Sequence, residues 1–322
     1  MVDTEHVCGG LSADLDYVCN QWRAPHFNAW ACCLHCSAKR DESHLNVRDV
    51  SAAAGWRATA RNLRDRSVPD HPVWRLPGVS SHSYTGDYMH TVDLGVSLYL
   101  HASALQEMAA ADGPLGLVGP FASRVDQLWA RLKAKYDACG ETKRIGNLTA
   151  KMLGGSGATF AQVSCKANES KHMLRPMLEL CRSCLDGSEH AQRRVDAYTA
   201  LVEISDLVSD EREHFLSPAD SHRFWKLAHE LAEHYMWLTD SSINSGTLQY
   251  NPVFKVHWLL HISFYSRFLH PRLTWAYMFE DFMGRIKGIA TSAVFGTAPH
   301  NVPKKVASQY MVALSVAVAK CE

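Results

Sequence analysis

Two short motifs near opposite ends of the chain combine residue types and spacings that are typical of a metal site. Cys33 and Cys36 are three positions apart, so a tight turn can direct both sulfurs at one ion. His257 and His261 are four positions apart and therefore share one face of a helix. A tetrahedral Cys₂His₂ zinc site needs one pair of each kind. The sequence predicts that the two motifs hold one structural zinc ion between them.

A carboxylate lies on the outer side of each motif. Asp14 precedes the cysteine pair, and Glu280 follows the histidine pair at the same distance along the chain. Carboxylate oxygens suit the hard magnesium ion, whereas sulfur and imidazole suit zinc. One chain with these two sets of ligands can therefore bind zinc at one site and magnesium at another.

Each motif also has an interpretation without a shared ion. A CxxC pair is typical of buried thiols and of thiol redox sites as well as of metal sites. It can also belong to a local zinc knuckle, completed by the nearby donors Cys32, His35, His26 and His44. The histidine pair lies among apolar residues, a setting typical of satisfied core histidines. A second CxxC, Cys181 and Cys184, favours core or surface thiols because no histidine pair lies near it.

Composition limits the class of protein. The chain has 322 residues, 47% of them hydrophobic, and equal numbers of basic and acidic residues, 33 of each. A dedicated DNA-binding domain usually has a basic excess, so any role with nucleic acid must depend on local patches. Ten cysteines are too few for a disulfide scaffold. The absence of a signal peptide and of a long apolar run predicts a soluble intracellular protein with reduced thiols.

Helical periodicity dominates the chain, and few strands are predicted. The opening HVCGGLSADLDYV is interpreted as a strand that ends in acidic residues. Helices are predicted from Asp93 onward, at 118–136, 169–185, 190–208 and 218–238, around the histidine pair, at 275–290 and from 302. Within the helix at 275–290, Phe279, Phe282, Met283 and Ile286 are expected to form the buried stripe. The predicted fold class is mainly α (α+β).

Three blocks resemble the CACTA (En/Spm, tnp2-like) group of DDE transposases, whose catalytic domain has a ribonuclease H-like fold. They are SADLDYVCNQWRAPHFNAWACCLHCSA, GDYMHTVDLGV and FKVHWLLHISFYSRFLHPRLTWAYMFEDFMGRIKGIA. The matched blocks run from about residue 11 to 312, with divergent helical sequence between them. The order of aspartate, CxxC, HxxxH and glutamate also resembles that of hAT transposases and of the recombination-activating recombinase.

The resemblance implies a role for each matched residue. Asp14 corresponds to the second catalytic aspartate and Glu280 to the catalytic glutamate, which hold magnesium for DNA strand cleavage and transfer. Asp87 and His90 match the Asp-x-Met-His block, to which we assign no chemical role from the sequence. The structural zinc ligands are Cys33, Cys36, His257 and His261.

The resemblance also implies a domain layout and partners. A partial ribonuclease H-like segment is expected at 1–44, a helical insertion at 45–250, and the helices that complete the core at 251–322. The expected partner is DNA at transposon ends, and the expected location is the nucleus. Self-association of the chain is a further expectation; no small-molecule substrate and no membrane are implied.

One departure from the family concerns catalysis. The family's first catalytic aspartate lies on a strand well upstream of the second, whereas only Asp3 and Glu5 are acidic before Asp14. We therefore expect a fragment or a degenerate copy that does not cleave DNA by itself. Magnesium-dependent nicking that Glu280→Gln abolishes would contradict this. The alternative function is a non-catalytic, zinc-stapled module that binds DNA or protein.

Overall fold

A computed structural model of the chain describes residues 13–60, 70–153, 160–209 and 215–319. The chain divides into two compact units, the first ending at Trp275 and the second beginning at Ala276. The histidine-pair helix therefore belongs to the first unit and the helix that carries Glu280 to the second. The predicted division at residues 44 and 250 stays a prediction.

Helices account for most of the first unit, as the sequence predicts. No extended β-strand occurs in the described ranges, where pairing is limited to isolated bridges. A π-helix, Met89–Val96, leads directly into α2, and short 3₁₀ turns occur at Gly55–Thr59, Pro72–Arg75, Ser81–Ser83 and Pro271–Leu273. The α-helices are α1 Leu15–Gln21, α2 Ser97–Met108, α3 Phe121–Ala138, α4 Ala167–Arg182, α5 Glu189–Ser209, α6 Pro218–Asn244 and α7 Phe254–Tyr265.

The predicted opening strand is wrong where the structure describes it. Residues Leu15–Gln21 form a helix instead, and Asp14 is its N-cap. The Asp14 carboxylate accepts a hydrogen bond from the backbone N–H of Asp16 at 3.3 Å. Aspartate at this position satisfies a backbone donor that the first turn of a helix leaves open, which favours helix over strand. The part of the predicted strand before residue 13 lies outside the described residues.

The later helix predictions are confirmed, with small shifts at the ends. Helix α6 begins as expected after Ser217, whose hydroxyl accepts the N–H of Asp220 at 3.0 Å. It continues beyond the predicted end at 238 to Asn244, and the left-handed backbone of Gly246 (φ 69°) follows. Glycine adopts that conformation without steric cost and commonly ends helices. The sequence also predicts a Gly-rich break at 154–157, which lies outside the described residues.

The core of the first unit is built around α5, α6 and α7. Helices α5 and α6 pack along one another, α4 packs on α5, and α7 packs on α6 and on the π-helix. Helix α7 is buried on nearly every side: along its length only Lys255 is half-buried and only Phe264 is exposed. A helix that is apolar all round must lie inside the protein. The histidine pair is thereby placed in the interior.

A buried ion pair ties α2 to α5 and to the loop before α7. The carboxylate of Glu107 accepts hydrogen bonds from Arg194 at 2.6 Å, from the Tyr250 hydroxyl at 2.8 Å and from His190 at 2.8 Å. Arg194 is only 3% exposed. A buried charge needs such partners, because an unpaired one is costly away from water.

The second unit consists of α8, Tyr277–Val294, and α9, Val302–Ala319, joined through a 3₁₀ turn at Pro299–Asn301. The predicted buried stripe of α8 is wrong at two positions, since Phe282 is 43% and Met283 60% exposed. Ile286 is half-buried, and the side chain of Phe279 lies outside the described residues. Two helices cover only a narrow strip of each other, which here includes the fully buried Ala293. The helices of the described ranges are each too short or too polar to cross a lipid bilayer.

Candidate metal centre

The cysteine pair lies at the tip of a short hairpin-like turn. Ala31 and Lys39 pair as an antiparallel bridge, and the N–H of Arg40 donates to the carbonyl of Trp30 at 2.9 Å. Within the turn, the N–H of His35 donates to Sγ of Cys33 at 3.3 Å. A backbone donor aimed at sulfur favours the thiolate form, which is the form that binds metal.

The histidine pair lies on the face of α7 that meets this turn. His257 and His261 are one helical turn apart, and their Nε2 atoms are 3.1 Å from each other. Both side chains are buried, at 1% and 7% exposure. The helix therefore presents two imidazole nitrogens to one point inside the protein.

The four predicted ligands come together in one cluster. Sγ of Cys33 is 3.4 Å from Nε2 of His261, and Sγ of Cys36 is 3.5 Å from Nε2 of His257. All four donor atoms lie within 4.8 Å of one another, and all four residues are buried. Tetrahedral zinc, with Zn–S of about 2.3 Å and Zn–N of about 2.0–2.1 Å, separates sulfur from nitrogen by about 3.5 Å and the nitrogens by about 3.3 Å. The cluster has the donor set and the spacing for such an ion.

The ionisation of the cluster suits a metal. A hydrogen bond from Cys33, assisted by His257 and His261, lowers the pKa of Cys36 and stabilises its thiolate. Burial raises the pKa of Cys33 well above its ordinary value, so this thiol keeps its proton and supplies that hydrogen bond. Burial also lowers the pKa of His257, which keeps its imidazole neutral. A metal ion would take the place of the Cys33 proton, and zinc binding should release that proton.

Aromatic rings enclose the cluster. The ring of Trp56 lies 4.4 Å from that of His257, and His35 stacks on Trp258 at 4.8 Å. The indole N–H of Trp56 donates to the carbonyl of Asp49 at 2.6 Å, which fixes the ring in place. A cavity of about 260 Å³, whose lining includes His257, lies beside this shell. The shell excludes bulk water and strengthens the electrostatics of the cluster.

The alternatives for the cysteine motif have less structural support. Across the described ranges, the Cys₂His₂ cluster is the group that meets the geometric requirements for a metal, and it draws on both ends of the first unit. A thioredoxin-like redox motif would need a helix beginning at the cysteines, whereas they lie in a loop. Cys181 and Cys184 are buried at the end of α4, and burial raises the pKa of Cys181 to about 12. These two fit the interpretation as core thiols.

Asp14 lies near the Asp-x-Met-His block. The charges of Asp14 and Asp87 both act on Lys255, whose pKa burial lowers and whose Nζ donates to the carbonyl of Leu94 at 3.3 Å. The carbonyl of Ala13 accepts a hydrogen bond from the Tyr84 hydroxyl at 3.2 Å. The structure therefore brings Asp14 and the predicted Asp87 block to one region.

Asp87 has a structural role that sequence reasoning missed. Its carboxylate accepts the N–H of Met89 at 2.9 Å at the start of the π-helix, and its other oxygen pairs with Nδ1 of His90. The preceding Gly86 has φ of 90°, and a Cβ there would lie 2.3 Å from the indole nitrogen of Trp258. The signal available in the sequence was Asp87, a capping residue type, followed three positions later by its partner His90.

Glu280 lies in the second unit, in the first turn of α8, and its side chain is exposed. Its backbone N–H donates to the carbonyl of Ala276 at 2.8 Å. A carboxylate in the first turn suits the positive end of the helix dipole. Joint magnesium binding by Asp14 and Glu280 stays a prediction.

No family model matches the chain, and no curated protein or solved structure is significantly similar to it. The fold and the site therefore define its class directly. It is a mainly helical protein with a buried Cys₂His₂ cluster that can bind a metal such as zinc.

Proposed function

We propose that this chain is a CACTA-type transposase-like protein that acts on DNA in the nucleus and whose first unit is closed by one structural zinc ion. The observation that supports the proposal is the convergence of Cys33 and Cys36 with His257 and His261. These pairs are separated by more than 200 positions, at 228 for Cys33 and His261. The resemblance to the family implies this pairing of the two motifs.

In this proposal the zinc ion is a structural cross-link between distant parts of the chain and takes no part in a reaction. It would join the turn that follows Asp14 to helix α7, the helix that precedes Glu280 in the chain. A closed set of four protein ligands leaves no open position for substrate, which is typical of structural zinc sites. The metal would therefore act through folding, because the site exists only when both ends are in place.

In this proposal Asp14 and Glu280 are the residues that served DNA strand cleavage and transfer in the ancestral protein. Asp14 and Glu280 would hold magnesium, which stabilises the attacking and leaving oxygens of a phosphodiester. The proximity of Asp14 to Asp87 and Lys255 supplies polar surroundings for such a group. A partial ribonuclease H-like core is part of the same proposal.

Fluorescence anisotropy with labelled duplex DNA tests the proposal. We expect binding at low salt that weakens as salt rises, because phosphate contacts release counterions. Cys33→Ser should weaken binding together with zinc content, whereas Cys181→Ser should change neither. A zinc-loaded, folded protein that binds no DNA at low salt would refute the DNA role.

A second candidate is a non-catalytic, zinc-stapled module that binds DNA or protein. The observation that favours it is that the carboxylate of Asp14 caps helix α1, a structural task that needs no magnesium. Nicking of supercoiled DNA in magnesium, present in the wild type and absent in Glu280→Gln, would rule out this candidate.

A further inference from the structure

The C-terminal end of α7 carries an aromatic and cationic surface. Phe264 is 40% and Phe268 49% exposed, and their ring centroids are 6.3 Å apart. The guanidinium of Arg267 lies between them, 3.9 Å from the centroid of Phe264 and 4.5 Å from that of Phe268. We refer to Phe264, Arg267 and Phe268 as the α7-end surface.

The backbone beneath this surface is held firmly. Tyr265 and Ser266, between the exposed residues, are buried. The Ser266 hydroxyl is 3.0 Å from that of Ser221 on α6, and the Tyr265 hydroxyl pairs with His82. The exposed rings are therefore presented by a rigid support, which reduces the entropy that a ligand must overcome on binding.

The charge of the surface is positive, and Arg267 carries it. Within the described ranges Arg267 makes no ion pair, and its guanidinium contacts are the two phenyl rings. No acidic residue occurs in the sequence between Asp240 and Glu280. Lys171 on α4 and Arg272 lie 5.1 and 5.3 Å from the ring centroid of Trp275. An anionic, ring-containing ligand complements such a surface.

We propose that the α7-end surface binds single-stranded DNA, an inference that rests on the proposed DNA function and gives it a specific contact site. Unpaired bases would stack on the faces of Phe264 and Phe268 that Arg267 leaves open, and Arg267 would contact the phosphate between them. Exposed aromatic rings beside cationic side chains are the common means of binding single strands without sequence preference. Duplex DNA keeps its bases stacked inside the helix and cannot use the rings in this way.

The test compares single-stranded and duplex DNA on the same zinc-loaded protein. Anisotropy of labelled oligothymidylate of about 12 nucleotides, within the size range of single-strand sites, reports binding. Phe264→Ala and Phe268→Ala should each weaken it roughly 10-fold, the scale of one stacked base. Arg267→Ala should reduce the slope of log affinity against log salt by about 0.7. Duplex affinity should stay within about twofold.

Matched controls separate stacking from loss of fold. Phe295 in the second unit is 76% exposed and contributes to no such cluster, so Phe295→Ala should leave oligothymidylate binding unchanged. Phe264→Leu preserves apolar volume without an aromatic face and should weaken binding as Phe264→Ala does. Zinc content and thermal unfolding of each variant report whether it is folded.

Each other outcome overturns the inference. Duplex binding without single-strand binding would refute it and leave the proposed function intact, whereas no binding of either would refute the proposed function too. Single-strand binding that the three α7-end variants leave unchanged would place the site elsewhere. Tenfold tighter binding to oligouridylate would show an RNA surface. Self-association that Phe264→Ala abolishes, without DNA binding, would show an interface between copies of the chain.

Discussion

Removing one zinc ligand should cost stability at both ends of the first unit. In His261→Ala the remaining donors cannot complete a tetrahedral site, so the metal cross-link to the cysteine turn is lost. The link joins Cys33 to a residue 228 positions away. Because the site exists only when both ends are in place, the ion binds the folded chain and its binding free energy adds to the free energy of unfolding.

Mass action gives the magnitude of this stabilisation. A ligand that binds only the folded state raises the free energy of unfolding by about 1.4 kcal/mol for each tenfold rise in its free concentration. Free zinc at about 1,000 times its dissociation constant adds about 4 kcal/mol. His261→Ala should therefore lower the free energy of unfolding by about 4 kcal/mol in a solution buffered at that free zinc concentration.

Urea unfolding monitored by tryptophan fluorescence measures this directly, since Trp56 and Trp258 lie beside the cluster. The wild type should gain stability with rising free zinc, and His261→Ala should show no such dependence. Cys33→Ser should behave in the same way. The double variant should cost little more than either single variant, because both remove one shared ion. Additive losses, or zinc dependence that survives in His261→Ala, would refute the reasoning.

Three further predictions concern the support of the site. Glu107→Ala should lower the free energy of unfolding by about 3–5 kcal/mol in urea titrations, because it leaves the buried guanidinium of Arg194 without its carboxylate partner. The zinc content of the folded protein should not change. Burial lowers the pKa of His101 to about 4, so the unfolded chain binds its proton first as the pH falls below about 6.5. Stability is therefore lost as the pH falls, and His101→Gln should lose about 2 kcal/mol less than the wild type between pH 7 and pH 5. Gly86→Ala should destabilise by about 1–3 kcal/mol in thermal unfolding, since its Cβ meets Trp258 at 2.3 Å.

Specific results would contradict the predictions for His101 and Gly86. Equal pH dependence in His101→Gln and the wild type would show that His101 does not titrate differently on unfolding. Gly284→Ala is the control for Gly86→Ala: it lies inside α8 with open space around it, so alanine should be neutral or stabilising by up to about 1 kcal/mol. A Gly86→Ala variant as stable as this control would contradict the close approach to Trp258.

The sequence was most informative where spacing alone determines geometry. The four-residue spacing of His257 and His261 places both on one helical face, and the cysteine spacing places both sulfurs on one turn. Helices α3 to α6 were predictable for a similar reason, because a repeat of apolar residues at helical spacing and a cap such as Ser217 act within a few residues.

The failures concern features that depend on contacts distant in the sequence. The exception is Asp14, which was interpreted as a strand end although its side chain caps α1 through a contact only two positions away. Phe282 and Met283 follow the periodicity of a buried stripe, yet a second unit of two helices covers too little surface to bury them. The π-helix after Asp87 and the position of Trp56 over His257 depend on packing against α7, which no local pattern specifies.

The most direct test of the central claim is the zinc content of the purified chain, measured by elemental analysis beside Cys33→Ser, His261→Ala and the control Cys181→Ser. We predict about one zinc per chain in the wild type and in the control, and loss of zinc in both ligand variants. Zinc retained in His261→Ala would point to a site local to the cysteine turn. A folded wild type without zinc would contradict the proposal that one ion joins the two ends of the first unit.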